Sequence, residues 1–251
     1  MAIDSHMYIN SSVSKDIEKE ILDINNDPDL ESVINVSLNC ETAKESIIIA
    51  NSNAKFYSAI GIHPLYVENQ NLDDLYDLAL NNKVVAIGEI GLDTTKDNIE
   101  LQKKYLIEQI SIANSLNLPV IIHANNTNKL VIEIFEKHIK PKEGCVFHCF
   151  QPDTDDLDYL IKHNYYISFA GRITYKNAKK SLEVAKRVPN DLFLVETDSP
   201  YISPEPIRNL VNQSSNIKYI IEKLALIKNM SYMEIDNITT ENTKRLFKKM
   251  R

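Results

Sequence analysis

Val84-Val85-Ala86-Ile87-Gly88-Glu89-Ile90, the helical pattern of Ile99–Leu116, and Pro119-Val120-Ile121-Ile122-His123 follow one another within forty residues. Two short apolar runs flank a longer amphipathic segment, the pattern of two buried parallel strands joined by a crossover helix. In the helix, Leu101, Tyr105, Ile110, Ala113 and Leu116 suit a buried stripe. Pro119 stops the helix and starts the next strand. Near the end of each run stands a titratable residue, Glu89 in one and His123 in the other.

The same rhythm fills the chain. Apolar runs occupy 2–6, 32–38, 56–63, 84–90, 119–123, 144–150, 165–169 and 192–198, with helical segments between them. Eight strands alternating with helices in 251 residues is the pattern and size of a (β/α)8 TIM barrel, an α/β fold. No repeat, low-complexity tract or linker divides the sequence, so residues 1–251 are expected to form a single domain. There is no G-x-G-x-x-G and no G-x-x-x-x-G-K-[ST], which removes the main sequence feature of dinucleotide and P-loop binding.

Composition narrows the function classes. At 43% hydrophobic and 25% charged residues, the chain is globular in character. No run is long enough to span a membrane, and the start carries no basic and apolar leader. Three cysteines are too few for a disulfide scaffold and fit a reducing, cytoplasmic setting. The net charge of −7, from 28 basic and 35 acidic residues, argues against a stoichiometric duplex binder. It leaves room for an enzyme that meets nucleic acid through a metal, which brings its own positive charge. No protein partner is expected, and a monomer is.

In a barrel of this kind the chemistry sits where the strands end. His6, His63, Glu89, His123, His148 and Asp198 all fall at the ends of apolar runs. One buried histidine there would be an ordinary packed residue. Four histidines and two carboxylates from six strands are costly to bury unless paired or bound to a metal. Strand alternation puts Asp4, His6 and Tyr8 on one face, and Glu196 with Asp198 on another shared face. It directs Cys145 and Cys149 toward the helices, as packing residues. Imidazoles with carboxylates suit Zn or Mn, whereas Mg favours an all-oxygen shell. One or two divalent ions are expected. A carboxylate such as Glu89 can bridge two ions about 3.5–4 Å apart, the arrangement that serves in-line displacement at phosphorus. Asp198 and Glu89 are the candidate catalytic carboxylates, Asp198 as a ligand that also takes a proton from water. Ligand chemistry alone leaves a phosphoester and an amide-like substrate equally open.

Six ordered motifs resemble the TatD family of metal-dependent deoxyribonucleases. They are Asp4-Ser5-His6, Gly61-Ile62-His63-Pro64, Gly88-Glu89-Ile90-Gly91-Leu92-Asp93, Pro119-Val120-Ile121-Ile122-His123, Phe147-His148-Cys149-Phe150 and Glu196-Thr197-Asp198-Ser199-Pro200-Tyr201. The tail from Thr239 to Phe247 resembles the family's last helix. The resemblance implies an amidohydrolase-like barrel with a metal site that hydrolyses DNA, trimming single strands from the 3′ end. It implies that His6 and Asp198 hold one ion, that His123 and His148 hold another, and that Glu89 bridges them. His63, Arg208 and Tyr201 are then the candidate substrate-binding residues.

Four positions depart from the family pattern. Tyr8 stands where the family's second ligand histidine belongs, and a phenol with a pKa near 10 is a poor ligand at pH 7. Leu65, Asn125 and Thr94 replace a histidine, an arginine and an aromatic residue on the substrate side. Those changes keep two alternatives open: a hydrolase of a small amide, lactone or phosphoester, and a non-catalytic relative. The basic stretch 176–187 reads as a solvated helix face.

Overall fold

The computed structural model describes residues 1–151 and 154–250, apart from the side chains of Thr154 and Asp155. Eight strands lie in sequence order in one sheet, and all seven ladders are parallel. They are β1 (Ala2–Met7), β2 (Leu30–Val36), β3 (Phe56–Ile60), β4 (Val84–Asp93), β5 (Val120–Asn125), β6 (Cys145–Phe147), β7 (Tyr166–Phe169) and β8 (Phe193–Val195). The helices between them are α1 (Ile17–Asn26), α2 (Cys40–Ser52), α3 (Leu72–Ala79), α4 (Ile99–Leu116), α5 (Asn128–Lys137), α6 (Thr154–Lys162) and α7 (Lys179–Arg187). Two more, α8 (Ile217–Lys228) and α9 (Tyr232–Leu246), follow β8. This is the nearly closed (β/α)8 barrel that the alternation of runs and helices implies.

The last gap, between β8 and β1, is joined by single bonds instead of a ladder. The Asp198 N–H donates to the His6 carbonyl (2.9 Å) and the Tyr8 N–H to the Ser199 carbonyl (2.8 Å). Ser5 Oγ donates to the Val195 carbonyl at 2.9 Å. Asp4, fully buried, accepts from the Thr197 N–H (2.8 Å) and the Thr197 hydroxyl (2.6 Å). At the opposite end, α9 packs on β1 and β8, where Asn242 Nδ2 donates to the carbonyls of Asn190 (2.8 Å) and Phe193 (2.9 Å).

The helix α4 begins and ends where its periodicity places it, but its buried face is turned from the expected stripe. Gln102, Leu106, Gln109, Ile110 and Ala113 are buried, while Leu101, Tyr105 and Leu116 are only partly so. Backbone hydrogen bonding is the reason. Gln102 Oε1 accepts from the Asp93 N–H (2.8 Å) and its Nε2 donates to the Asp93 carbonyl (2.9 Å). Gln109 does the same for Ile62, at 2.7 and 3.1 Å. Two glutamines thereby satisfy buried peptide groups that would otherwise lack partners.

Several strands stop short of their apolar runs. β6 and β8 end at Phe147 and Val195, and the chain then turns through left-handed backbone at Cys149 (φ 43°) and Asp198 (φ 57°). Alternation therefore fails past Phe147: Cys149 lines a cavity with His148 and Asp198 instead of facing the helices. Cys145, still inside the strand, is buried as expected. Beside β5, Gly91 (φ 155°) lies so close to the next strand that a Cβ there would fall 1.8 Å from the His123 carbonyl oxygen. Only glycine fits at that position.

Candidate metal centre

Glu89 lies in β4, buried to 1% exposure, and its two oxygens face different company. On the Oε1 side are three imidazoles: His123 Nδ1 at 2.6 Å, His148 Nε2 at 2.7 Å and His63 Nε2 at 3.5 Å. On the Oε2 side are His6 Nε2 at 3.4 Å and the Tyr8 phenol, which donates to Oε2. His6 Nε2 also lies 2.9 Å from the Tyr8 oxygen and 3.9 Å from Asp198 Oδ1. His6 and His148 stack with ring centroids 4.1 Å apart. Two triads, His6–Glu89–His148 and His63–Glu89–His123, each bring three ligand atoms within 4.8 Å of one another. They share Glu89.

A second tier of carboxylates supports these side chains. His123 turns its Nε2 to Asp93 Oδ2 at 2.9 Å, and Asp93 is held by the Thr95 N–H (2.8 Å) and hydroxyl (2.6 Å). Glu196 lies 3.5 Å from His148 Nδ1, and it accepts from the Cys149 N–H (2.5 Å) and the Ser168 hydroxyl (2.6 Å). Asn212 braces the turn that carries Asp198, donating to the carbonyls of Thr197 and Tyr201 at 2.8 Å each.

The buried titratable groups shift one another strongly. Burial alone would raise the Glu89 carboxyl, but His148, His63 and His123 hold it well below the usual range. Burial pushes Asp198 up to about 8, with Glu196 and Glu89 adding repulsion. His148 is raised well above the ordinary imidazole value, because Glu89 and Glu196 outweigh the burial that works against its charge. Burial lowers His6 and His63. Buried His6 Nδ1 and His148 Nδ1 have no hydrogen-bond partner. Crowded imidazole lone pairs around buried carboxylates are the donor set of a Zn or Mn site, and the residues fit a divalent ion.

All of His6, His63, Glu89, His123, His148 and Asp198 come together at this one end of the barrel. Tyr201 stands at the rim, half exposed, with its ring 5.9 Å from that of Tyr8. Arg208 lies over the Tyr175 ring at 4.1 Å and reaches Glu205 at 3.9 Å, with no contact to the cluster among those described. The stretch 176–187 is a solvated face, with its lysines and Arg187 exposed. Sequence reading placed Glu196 on the face of Asp198 without giving it a role, and it passed over three other neighbours. Asp93 shares strand parity with Glu89, which is the signal that could have found it. Arg172 joins His123, His148 and Asp198 around a cavity of about 140 Å³, and Tyr66 places its exposed ring 6.0 Å from His63. Neither had a local signal, because each sits in a short turn after a strand.

The chain matches the family model described as "TatD related DNase" over residues 3–248. It is 36% identical over 253 residues to the "Uncharacterized metal-dependent hydrolase YabD" of Bacillus subtilis (strain 168), with 99% of each chain covered. It is 38% identical over 193 residues to the "Uncharacterized metal-dependent hydrolase YcfH" of Escherichia coli (strain K12), covering 74% of this chain and 72% of that one. Among solved structures, YJJV, a TatD homologue from Escherichia coli K12, superposes with a TM-score of 0.90 at 25% identity, covering 98% of each chain.

Proposed function

Because the chain belongs to the TatD-related DNase family and is a metal-dependent hydrolase, we propose that it hydrolyses phosphodiester bonds of DNA, removing nucleotides from the 3′ end of single strands. The observation that carries this reading is Glu89, ringed by four imidazoles, with Asp198 and the guanidinium-bearing Arg172 on one cavity. A divalent ion held there by Glu89, His123 and His148, or by His6 and Asp198, would polarise a phosphoryl group and lower the pKa of water to about 7.

The chain's own groups divide the remaining work. Asp198, whose carboxyl a neighbouring cation would bring back to its ionised form, would take the proton of the attacking water; its left-handed backbone and the Asn212 brace fix where its carboxylate points. Arg172 grips a phosphate oxygen, the role that Asn125 cannot fill in place of the family's arginine. Asn125 instead hydrogen-bonds Asp93 at 3.3 Å and accepts from Gln151 at 3.2 Å. At the rim, Tyr201 and Tyr66 offer exposed rings on which bases can stack, and His63 lies between Tyr66 and the cluster. Arg208, further out on the loop after β8, meets the strand beyond the cut end.

A cavity of about 140 Å³ is roughly the size that accepts one benzene ring, so it takes a phosphate and leaves base and sugar outside. The same dimensions suit a small phosphoester or lactone, which keeps a small-substrate hydrolase as the second reading. A panel of single-stranded DNA, a simple phosphodiester, a lactone and a dipeptide separates the two. Turnover of DNA with the highest kcat/KM supports the nuclease. Preference for the lactone or dipeptide would overturn it.

A further inference from the structure

Two cavities lie beyond the metal centre, and their charges differ. Along α1, a cavity of about 780 Å³ runs from Tyr8 past Lys15 and Lys19, and there Asp16, Glu20, Asp23 and Asp27 outnumber the lysines. At the starts of α5 and α7, a cavity of about 450 Å³ is lined by Asn126, Asn128, Lys129, Gln151, Asp156 and Lys180. Asp156 is the one carboxylate among its described lining residues. Gln151 stands on the edge of this cavity and also on that of His123, His148 and Asp198, which Arg172 shares. A smaller hollow, of about 140 Å³, has Gln151, Arg172 and Ser181 on its wall, and Ser181 follows Lys180.

Lys180 has no local work to do. It is exposed and makes no hydrogen bond or ion pair among the described residues. With Lys179 it opens α7, whose first turn holds no acidic residue. A helix dipole favours anions at that end, so the two cations do not serve the helix. Amides and a lysine beside a polar cavity are groups that hold phosphate oxygens. The whole chain carries a net charge of −7, so the placing of its cations decides where a polyanion can lie. A strand meets attraction beside Arg172 and Lys180, and net repulsion along α1.

We propose that the cavity at the starts of α5 and α7 is the subsite for the retained part of a single strand, and that Lys180 holds a phosphate upstream of the one being cut. Arg172 grips the phosphate at the centre, and the strand passes Gln151 on its way to Lys180. One end of the basic stretch 176–187 thus faces the substrate, while the rest of it is a solvated surface. The inference rests on the reading of the chain as a DNA hydrolase, and it adds the direction in which the strand leaves.

The test is the dependence of binding on strand length. Anisotropy with 5′-labelled phosphorothioate oligothymidylates of two and five nucleotides, with Mn²⁺ supplied, gives Kd for wild type, Lys180→Gln and Lys186→Gln. Lys186 is an exposed lysine of the same helix that does not line the cavity, so its variant matches the change in net charge. Wild type should bind five nucleotides several-fold more tightly than two. Lys180→Gln should reduce that preference about threefold or more, and Lys186→Gln should keep it. In Lys180→Gln the slope of log affinity against log salt for the longer strand should flatten by about 0.7, the share of one phosphate contact. No length preference in wild type, the same preference in Lys180→Gln, or an equal loss in Lys186→Gln would overturn the inference. Cleavage of DNA with a length preference that ignores Lys180 sinks this inference and leaves the nuclease reading; a preference that depends on Lys180, without cleavage, does the reverse.

Discussion

Asp93 Oδ2 stands 2.9 Å from His123 Nε2, on the far side of the imidazole from Glu89, whose Oε1 is 2.6 Å from His123 Nδ1. The ring is thus strung between two carboxylates, and Asp93 decides which nitrogen faces the centre. Carboxylates in this position fix the tautomer and raise the basicity of the ligand, and losing one weakens metal affinity by about 10–100-fold. Asp93→Ala should show a loss of that size in equilibrium dialysis against Zn²⁺. An unchanged affinity would mean that His123 does not depend on Asp93.

Metal binding should displace protons. His148 is raised well above 6.5, because Glu89 and Glu196 overcome the burial that opposes its charge, and His123 is raised by Asp93 and Glu89 against the same burial. A raised pKa means that the metal-free site holds a proton on these groups near neutral pH, and that ligands must give protons up to bind an ion. Affinity should therefore fall as the pH is lowered. Calorimetric titration with Zn²⁺ at pH 7 in buffers of different ionisation enthalpy should show net proton release. An enthalpy independent of the buffer would contradict the assigned direction.

Arg172 should act on binding. As the guanidinium on the cavity of His123, His148 and Asp198, it would give a bound phosphate a charge-assisted hydrogen bond of about 1.5–3 kcal/mol. Arg172→Ala should raise KM for DNA about tenfold or more while kcat and bound metal stay close to wild type. A fall in kcat at constant KM would place Arg172 in the chemistry instead.

Gln102 should matter for stability far beyond what an amide in a helix usually contributes. Replacing it by Leu leaves the Asp93 N–H and carbonyl without partners, at a cost of about 1–3 kcal/mol. In a chain of this length that lowers Tm by roughly 2–4 °C for each kcal/mol. A melting temperature within a degree of wild type would show that water or a neighbour takes over.

Much of this was legible in the residues because barrels put their polar groups where apolar runs end. Glu89, His123 and His6 could be read directly, since each lies within a strand, in the part of an apolar run that the ladder still holds. Legibility failed where the chain leaves the ladder. Cys149 was assigned to the wrong face because parity has no meaning after Phe147, and Arg172 was missed because the turn Gly171–Thr174 carries no periodic signal. The glutamines of α4 were missed for a different reason. Hydrophobic periodicity treats a polar side chain as exposed, whereas Gln102 and Gln109 are buried by the peptide groups that they satisfy. Tyr8 was visible as a departure, but its bond to Glu89 depends on a distance across the barrel that no spacing along the chain encodes.

The most direct test follows mononucleotide release from a 3′-labelled single-stranded oligonucleotide, with Mn²⁺ supplied, for wild type beside Asp198→Asn and chelator-treated wild type. Release by metal-loaded wild type alone is the expected result. Equal release by Asp198→Asn, or none from wild type that demonstrably holds its ion, would contradict a DNA-hydrolysing centre built on Glu89 and Asp198.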